Sequence, residues 1–122
     1  MDRNVAAELH ELHARVCKAI ADPKRLLIIN ELRDRELSVG DLCESLDLSQ
    51  SNVSQHLAIL RERGVVTARR EGTSVIYSLR GTKVLAAVDL LREFLAEDLT
   101  GRARLGHSLG DSPVAVEDRP VG

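Results

Sequence analysis

The chain has 122 residues, enough for one domain with a single core, and a 43% hydrophobic fraction that excludes wholesale disorder. One Phe, one Tyr and no Trp leave almost nothing on which to stack bases, which argues against RNA or single-stranded nucleic acid as the partner. The net charge of −2 argues against any nucleic acid until its distribution is read. Residues 49–80 hold five arginines (Arg61, Arg63, Arg69, Arg70, Arg80) against Glu62 and Glu71. Residues 23–48 are net acidic, and so are the last sixteen. With no run of eighteen apolar residues and no signal-peptide pattern, the sequence predicts a cytoplasmic protein, in which Cys17 and Cys43 are free thiols.

In chain order, Val5, Leu9, Leu12, Val16 and Ile20 keep one apolar stripe and predict a helix over residues 3–21. A lone helix cannot bury such a stripe. Asp22-Pro23 then marks a cap and a first helical position, opening a second helix to about Arg35 whose Leu26, Leu27, Ile28, Ile29 and Leu32 are core candidates. Ser38-Val39-Gly40-Asp41 reads as a capping box with Asp in place of Glu, starting a short third helix through Leu46. Only Asp47 and Leu48 separate it from a fourth, so the pair predicts a helix-turn-helix.

The fourth helix, Ser49 to Gly64, is the informative one. Val53, Leu57 and Leu60 form its buried stripe, Ser49 its cap, and Gly64 the left-handed residue past its end. Its outward residues in the first two turns are Gln50, Ser51, Asn52, Ser54, Gln55 and His56. An ordinary solvated face would carry Glu, Lys and Arg, which are better helix formers. Side chains that both donate and accept suit the edges of base pairs in a major groove.

After Gly64 the period changes to alternation. Residues 65–70 and 74–79 predict two strands joined by Glu71-Gly72-Thr73, a wing with Arg69 and Arg70 flanking its tip. A last helix is predicted over about residues 82–99, with Val84, Val88, Leu91, Leu95 and Leu99 on a heptad-like seam. The expected organisation is one functional domain over residues 1–100 and a disordered tail over 101–122.

With these elements in place, the chain resembles the ArsR/SmtB family of dimeric winged helix-turn-helix repressors. The likeness rests on Ala19-Ile20-Ala21-Asp22-Pro23-Lys24-Arg25-Leu26, on Ser49 to Leu57, on Leu60 to Val66, and on the wing stretch Arg69 to Tyr77. The fold class it implies is mainly α with a small β-hairpin, four helices, a wing and a fifth helix. It further implies a homodimer built on the first and last helices, binding double-stranded DNA at an imperfect inverted repeat, and an effector, often a metal ion, that releases the DNA.

The family's sensing sites carry over poorly. Its Cys-Val-Cys site falls here on Ser38-Val39-Gly40. Its zinc site on the last helix needs a His two residues after Asp89, where this chain has Leu91, with Arg102 and Leu105 at the later positions. The cysteine pair of the persulfide-sensing members, on the second and last helices, has no counterpart. What remains is His10, His13 and Cys17 at i, i+3 and i+7, a spacing that could face one metal, with Cys43 as a further ligand. Cys17 and Cys43 are alternatively a redox or persulfide pair, or two structural cysteines. The inducer stays open among arsenite, a divalent metal, a sulfur species, an organic ligand and none.

For DNA, Gln50, Ser51, Asn52, Ser54, Gln55 and His56 are the expected groove contacts. Arg69, Arg70 and Thr73 are the wing contacts, and Lys24 and Arg25 the phosphate clamps at a helix start. The alternatives are a winged-helix interaction module that reads no DNA sequence, and a constitutive regulator without a metal site. No catalytic constellation is visible. Cys17 with His13 lacks an orienting third residue and an oxyanion loop, so an enzyme is not expected.

Overall fold

A computed structural model describes residues 2–109. It falls into two compact units, the residues up to Thr82 and the helix that starts at Lys83.

The first unit opens with α1 (Arg3–Leu12), capped by the Asp2 carboxylate accepting from the Asn4 N–H. The predicted single helix is instead three pieces: α1, a π-helical segment (His13–Cys17) and a final turn, α2 (Lys18–Ile20). Asp22 then caps α3 (Pro23–Glu31), accepting from the backbone N–H groups of Lys24 and Arg25 at 2.8 and 3.4 Å. This helix stops short of the expected Arg35. Asp34 takes a left-handed conformation (φ +62°), and the Arg35 side chain turns back to donate to the Glu31 carbonyl at 3.1 Å, covering an orphan acceptor of the helix end. Ile28, Ile29 and Leu32 of this stretch are buried as predicted. Leu27 is not: it lies 49% exposed, on the outer side of α3.

Two residues, Leu37–Ser38, form β1, a strand the sequence did not suggest. It leads into α4 (Val39–Leu46), whose capping box is complete: the Ser38 hydroxyl accepts from the Asp41 N–H, and the Asp41 carboxylate accepts from the Ser38 N–H. Asp47, left-handed at φ +54°, ends it, and Ser49 caps α5 (Gln50–Glu62) by accepting from the Asn52 N–H. The wing is β2 (Val66–Glu71) and β3 (Ser74–Leu79), antiparallel with Glu71 opposite Ser74. The two-residue loop places Gly72 at φ +64° with Thr73 on the negative side, the pattern of a type II′ hairpin turn. β1 pairs with the other edge of β3, giving the order β1-β3-β2.

The core of this unit is Ala19, Ile28, Ile29, Leu32, Leu37, Leu42, Val53, Leu57, Leu60, Val65 and Val66. All three residues of the predicted stripe on α5 are fully buried, and the helix packs on α3, α4 and β2.

The second unit is α6 (Lys83–Leu109), which runs ten residues beyond its expected end and carries Gly101 in its interior. The remainder of the predicted tail, residues 110–122, lies outside the described residues. Leu85 and Val88 are buried, whereas Leu90, Leu91, Phe94, Leu95 and Leu99 are exposed. No helix among the described residues is long and apolar enough to cross a membrane.

Candidate nucleic-acid interface

The buried stripe of α5 decides which of its side chains look outward. With Val53, Leu57 and Leu60 held in the core, Gln50, Ser51, Ser54 and Gln55 are exposed on the opposite side. Asn52 and His56 are only half-exposed. The tight turn at Asp47 and Leu48 sets α5 against α4, and their packing against each other and against α3 makes the polar face a rigid surface. It carries amide and hydroxyl groups at fixed helical spacing and no carboxylate, so it can donate to and accept from base edges without repelling phosphates.

The wing differs. Arg69 and Arg70 point to opposite sides of β2, as neighbours on a strand must. Arg69 is held: its Nη2 and Nε donate to the two carboxylate oxygens of Glu36 at 2.8 and 3.4 Å, and its Nη1 pairs with Glu71. The Arg69 hydrogen bonds hold the Glu36 carboxyl below its usual range, and Glu36, with Glu71 adding to it, raises the Arg69 guanidinium further above its own. Arg70 carries no ion pair or hydrogen bond among the described residues. Thr73 is exposed at the tip.

Of the two expected phosphate clamps, Lys24 is half-exposed. Arg25 is engaged inside the protein, with its side chain 13% exposed. Its Nη1 lies 3.2 Å from His56 Nδ1, so the structure joins an expected phosphate clamp to an expected groove contact. Partial burial pushes the Asp22 carboxyl beside them up. The Lys24 and Arg25 N–H groups, with the nearby His56 and Arg25 side chains, outweigh that and leave it below its ordinary value.

The candidate sensing residues are scattered. His10, His13 and Cys17 are exposed, Cys43 is half-buried on α4, and both cysteines are free thiols. Among the described residues no three His, Cys, Asp or Glu side chains come together as a metal-ligand group. The π-helical turn begins at His13, so Cys17 no longer follows it at α-helical spacing, and α4 packs on α3, α5 and the sheet.

Two features escaped the sequence: the Glu36 partner of Arg69 and the Arg25 partner of His56. They lie 33 and 31 residues apart, and no periodicity links them.

A helix-turn-helix whose second helix presents a polar face, followed by a β-hairpin wing, defines a winged helix-turn-helix DNA-binding protein. The comparisons narrow the class. The model of the arsR family of bacterial regulatory proteins matches residues 22–68. The transcriptional activator HlyU of Vibrio cholerae is 48% identical over 80 residues, which is 66% of this chain and 74% of HlyU. The transcriptional repressor SdpR of Bacillus subtilis is 32% identical over 80 residues, 66% of this chain and 89% of SdpR. The solution structure of the homodimeric winged helix-turn-helix DNA-binding domain Mb0332 of Mycobacterium bovis matches with a TM-score of 0.70 at 32% identity, covering 81% of this chain and 91% of that one. This chain belongs to the ArsR/SmtB family of DNA-binding transcriptional regulators, and it is not an enzyme.

Proposed function

We propose that the protein is a cytoplasmic homodimeric repressor that reads an inverted repeat in double-stranded DNA. In this reading α5 enters the major groove with Gln50, Ser51, Asn52, Ser54 and Gln55 at the bases. The wing lays Arg70, Thr73 and, once exchanged from its carboxylates, Arg69 along the backbone or minor groove, and Lys24 meets a phosphate. The observation that carries it is the exposed block of short polar side chains on a helix whose opposite face is fully buried.

The apolar residues left open on α1 (Val5, Leu9, Leu12) and on α6 (Leu90, Leu91, Phe94, Leu95, Leu99) support dimerisation through the first and last helices. Each Leu or Phe buried there would contribute about 1.5–3 kcal/mol toward the cost of association. Two-fold symmetry then sets half-sites about one helical turn apart.

The test is selection of duplexes from a random pool by the purified protein. The expected result is an enriched inverted repeat, bound with an affinity that falls steeply with salt. Enrichment of nothing would favour an interaction module instead. An effector response through thiols is read in the same assay: if Cys17→Ser and Cys43→Ser variants release DNA as wild type does under arsenite, zinc and oxidants, neither cysteine is a sensor.

A further inference from the structure

Arg25 has the position of a phosphate clamp in the sequence but not its geometry in the fold. Nε donates to the Ala19 carbonyl at 2.5 Å and Nη2 to the Lys18 carbonyl at 3.2 Å. Nη1 lies 3.2 Å from His56 Nδ1 and 4.0 Å from Asp22 Oδ2. A guanidinium only donates, so this contact requires His56 Nδ1 as the acceptor, with the ring proton on Nε2. The Lys18 and Ala19 carbonyls stand at the C-terminal end of α2, where a cation is favoured; the Lys18 carbonyl also accepts from the Ala21 N–H at 3.4 Å. One planar fork therefore closes that helix end, spans the break at Asp22 and reaches the recognition helix.

A second arginine ties the C-terminal end of α5 to the same tract. Arg63, its C-terminal cap residue, donates through Nη1 to the Ala14 carbonyl in the π-helical segment. The recognition helix is thus tied to backbone carbonyls of one tract, residues 14–19, at its middle through Arg25 and at its C-terminal end through Arg63.

We propose that Arg25, with His56 as its acceptor, is a positioning residue that fixes the attitude of α5 against the N-terminal helical tract, and so sets sequence discrimination rather than phosphate affinity. The proposal rests on α5 being the reading helix. If selection with wild-type protein enriches no duplex, that reading fails by itself and the free-protein measurement below still decides the Arg25–His56 link.

The test measures affinity for the enriched duplex and for a scrambled one across a potassium chloride series. Arg25→Gln is expected to lower the ratio of the two affinities about tenfold while the salt slope stays at the wild-type value. Lys24→Gln is expected to weaken both duplexes alike and to reduce the slope by about 0.9, the signature of one lost phosphate contact. Arg25→Lys retains the charge, but an ammonium cannot reproduce the planar fork across two carbonyls and a ring, so it should behave like the Gln variant. Should Arg25→Gln not fold, Arg25→Lys carries the comparison. In the free protein, the imidazole nitrogen shifts of His56 should report the Nε2–H form in wild type and a mixture of tautomers in the variants. Full binding by Arg25→Lys, a lost unit of slope at an unchanged ratio in Arg25→Gln, or a His56 spectrum indifferent to both variants would overturn the proposal.

Discussion

The recognition helix and the two flanking helices carry the same kind of apolar spacing and meet opposite fates. On α5 the stripe is closed within the chain: Val53, Leu57 and Leu60 have no exposed surface. On α1, and on α6 beyond the buried Leu85 and Val88, apolar residues stay open, from 39% exposed at Leu99 to 66% at Phe94. A stripe closed within one chain orients a surface for another molecule. A stripe left open becomes a core only when another molecule covers it, as the dimer proposed above would. In that reading the difference separates residues that stabilise the fold from those that assemble it.

The comparison breaks most visibly at Leu57. Leu57→Ala should cost about 2–5 kcal/mol of unfolding free energy, read by denaturant titration, because a fully buried side chain leaves a cavity. The Leu91→Glu, Leu95→Glu double variant should leave the fold of the first unit intact while sedimenting as a monomer. Its melting temperature should lose the concentration dependence expected of a wild-type dimer. On the outer face of α5, Gln55→Ala should change neither stability nor assembly by a measurable amount. It should reduce discrimination between the selected duplex and single-base variants by about 1–3 kcal/mol.

Smaller effects sharpen the picture around the reading surface. Asp22→Ala should cost about 1 kcal/mol through loss of the α3 cap. The folded-state pKa of Asp22 lies below the unfolded one, so its contribution is present above the unfolded value and lost as the pH falls through the folded value. The wild-type protein should therefore lose more stability than the variant on acidification through that window. Glu36→Gln should strengthen DNA binding by roughly two- to fivefold at low salt, since Arg69 would then have one exposed carboxylate, Glu71, to leave instead of two. Unchanged affinity would mean that Arg69 does not meet the DNA.

Much of this architecture was legible because the signals were local. Caps at Asp22, Ser38 and Ser49, the glycines at 64 and 72 with positive φ, and the change of period after Gly64 each act within a few residues. The failures have non-local causes. β1 is too short to show alternation and exists only because Leu37 and Ser38 find Tyr77 and Ile76. The π-helical turn at His13–Cys17 leaves the sequence pattern helical while shifting the spacing on which the His10, His13 and Cys17 ligand set depended. Arg25 and Arg69 read alike as free cations beside a DNA surface, yet each is spent on partners more than thirty residues away in sequence.

From the sequence alone came the element order, the helix-turn-helix with its wing, and the polar face of α5. Helical and strand periods, caps and turns are short-range properties that neighbouring residues settle among themselves. Only the tertiary structure decided which cations are engaged by partners within the fold and which are left without one among the described residues. A guanidinium takes its role from the acceptors that folding brings within hydrogen-bond reach of it, and that reach is set by the packing of the whole unit.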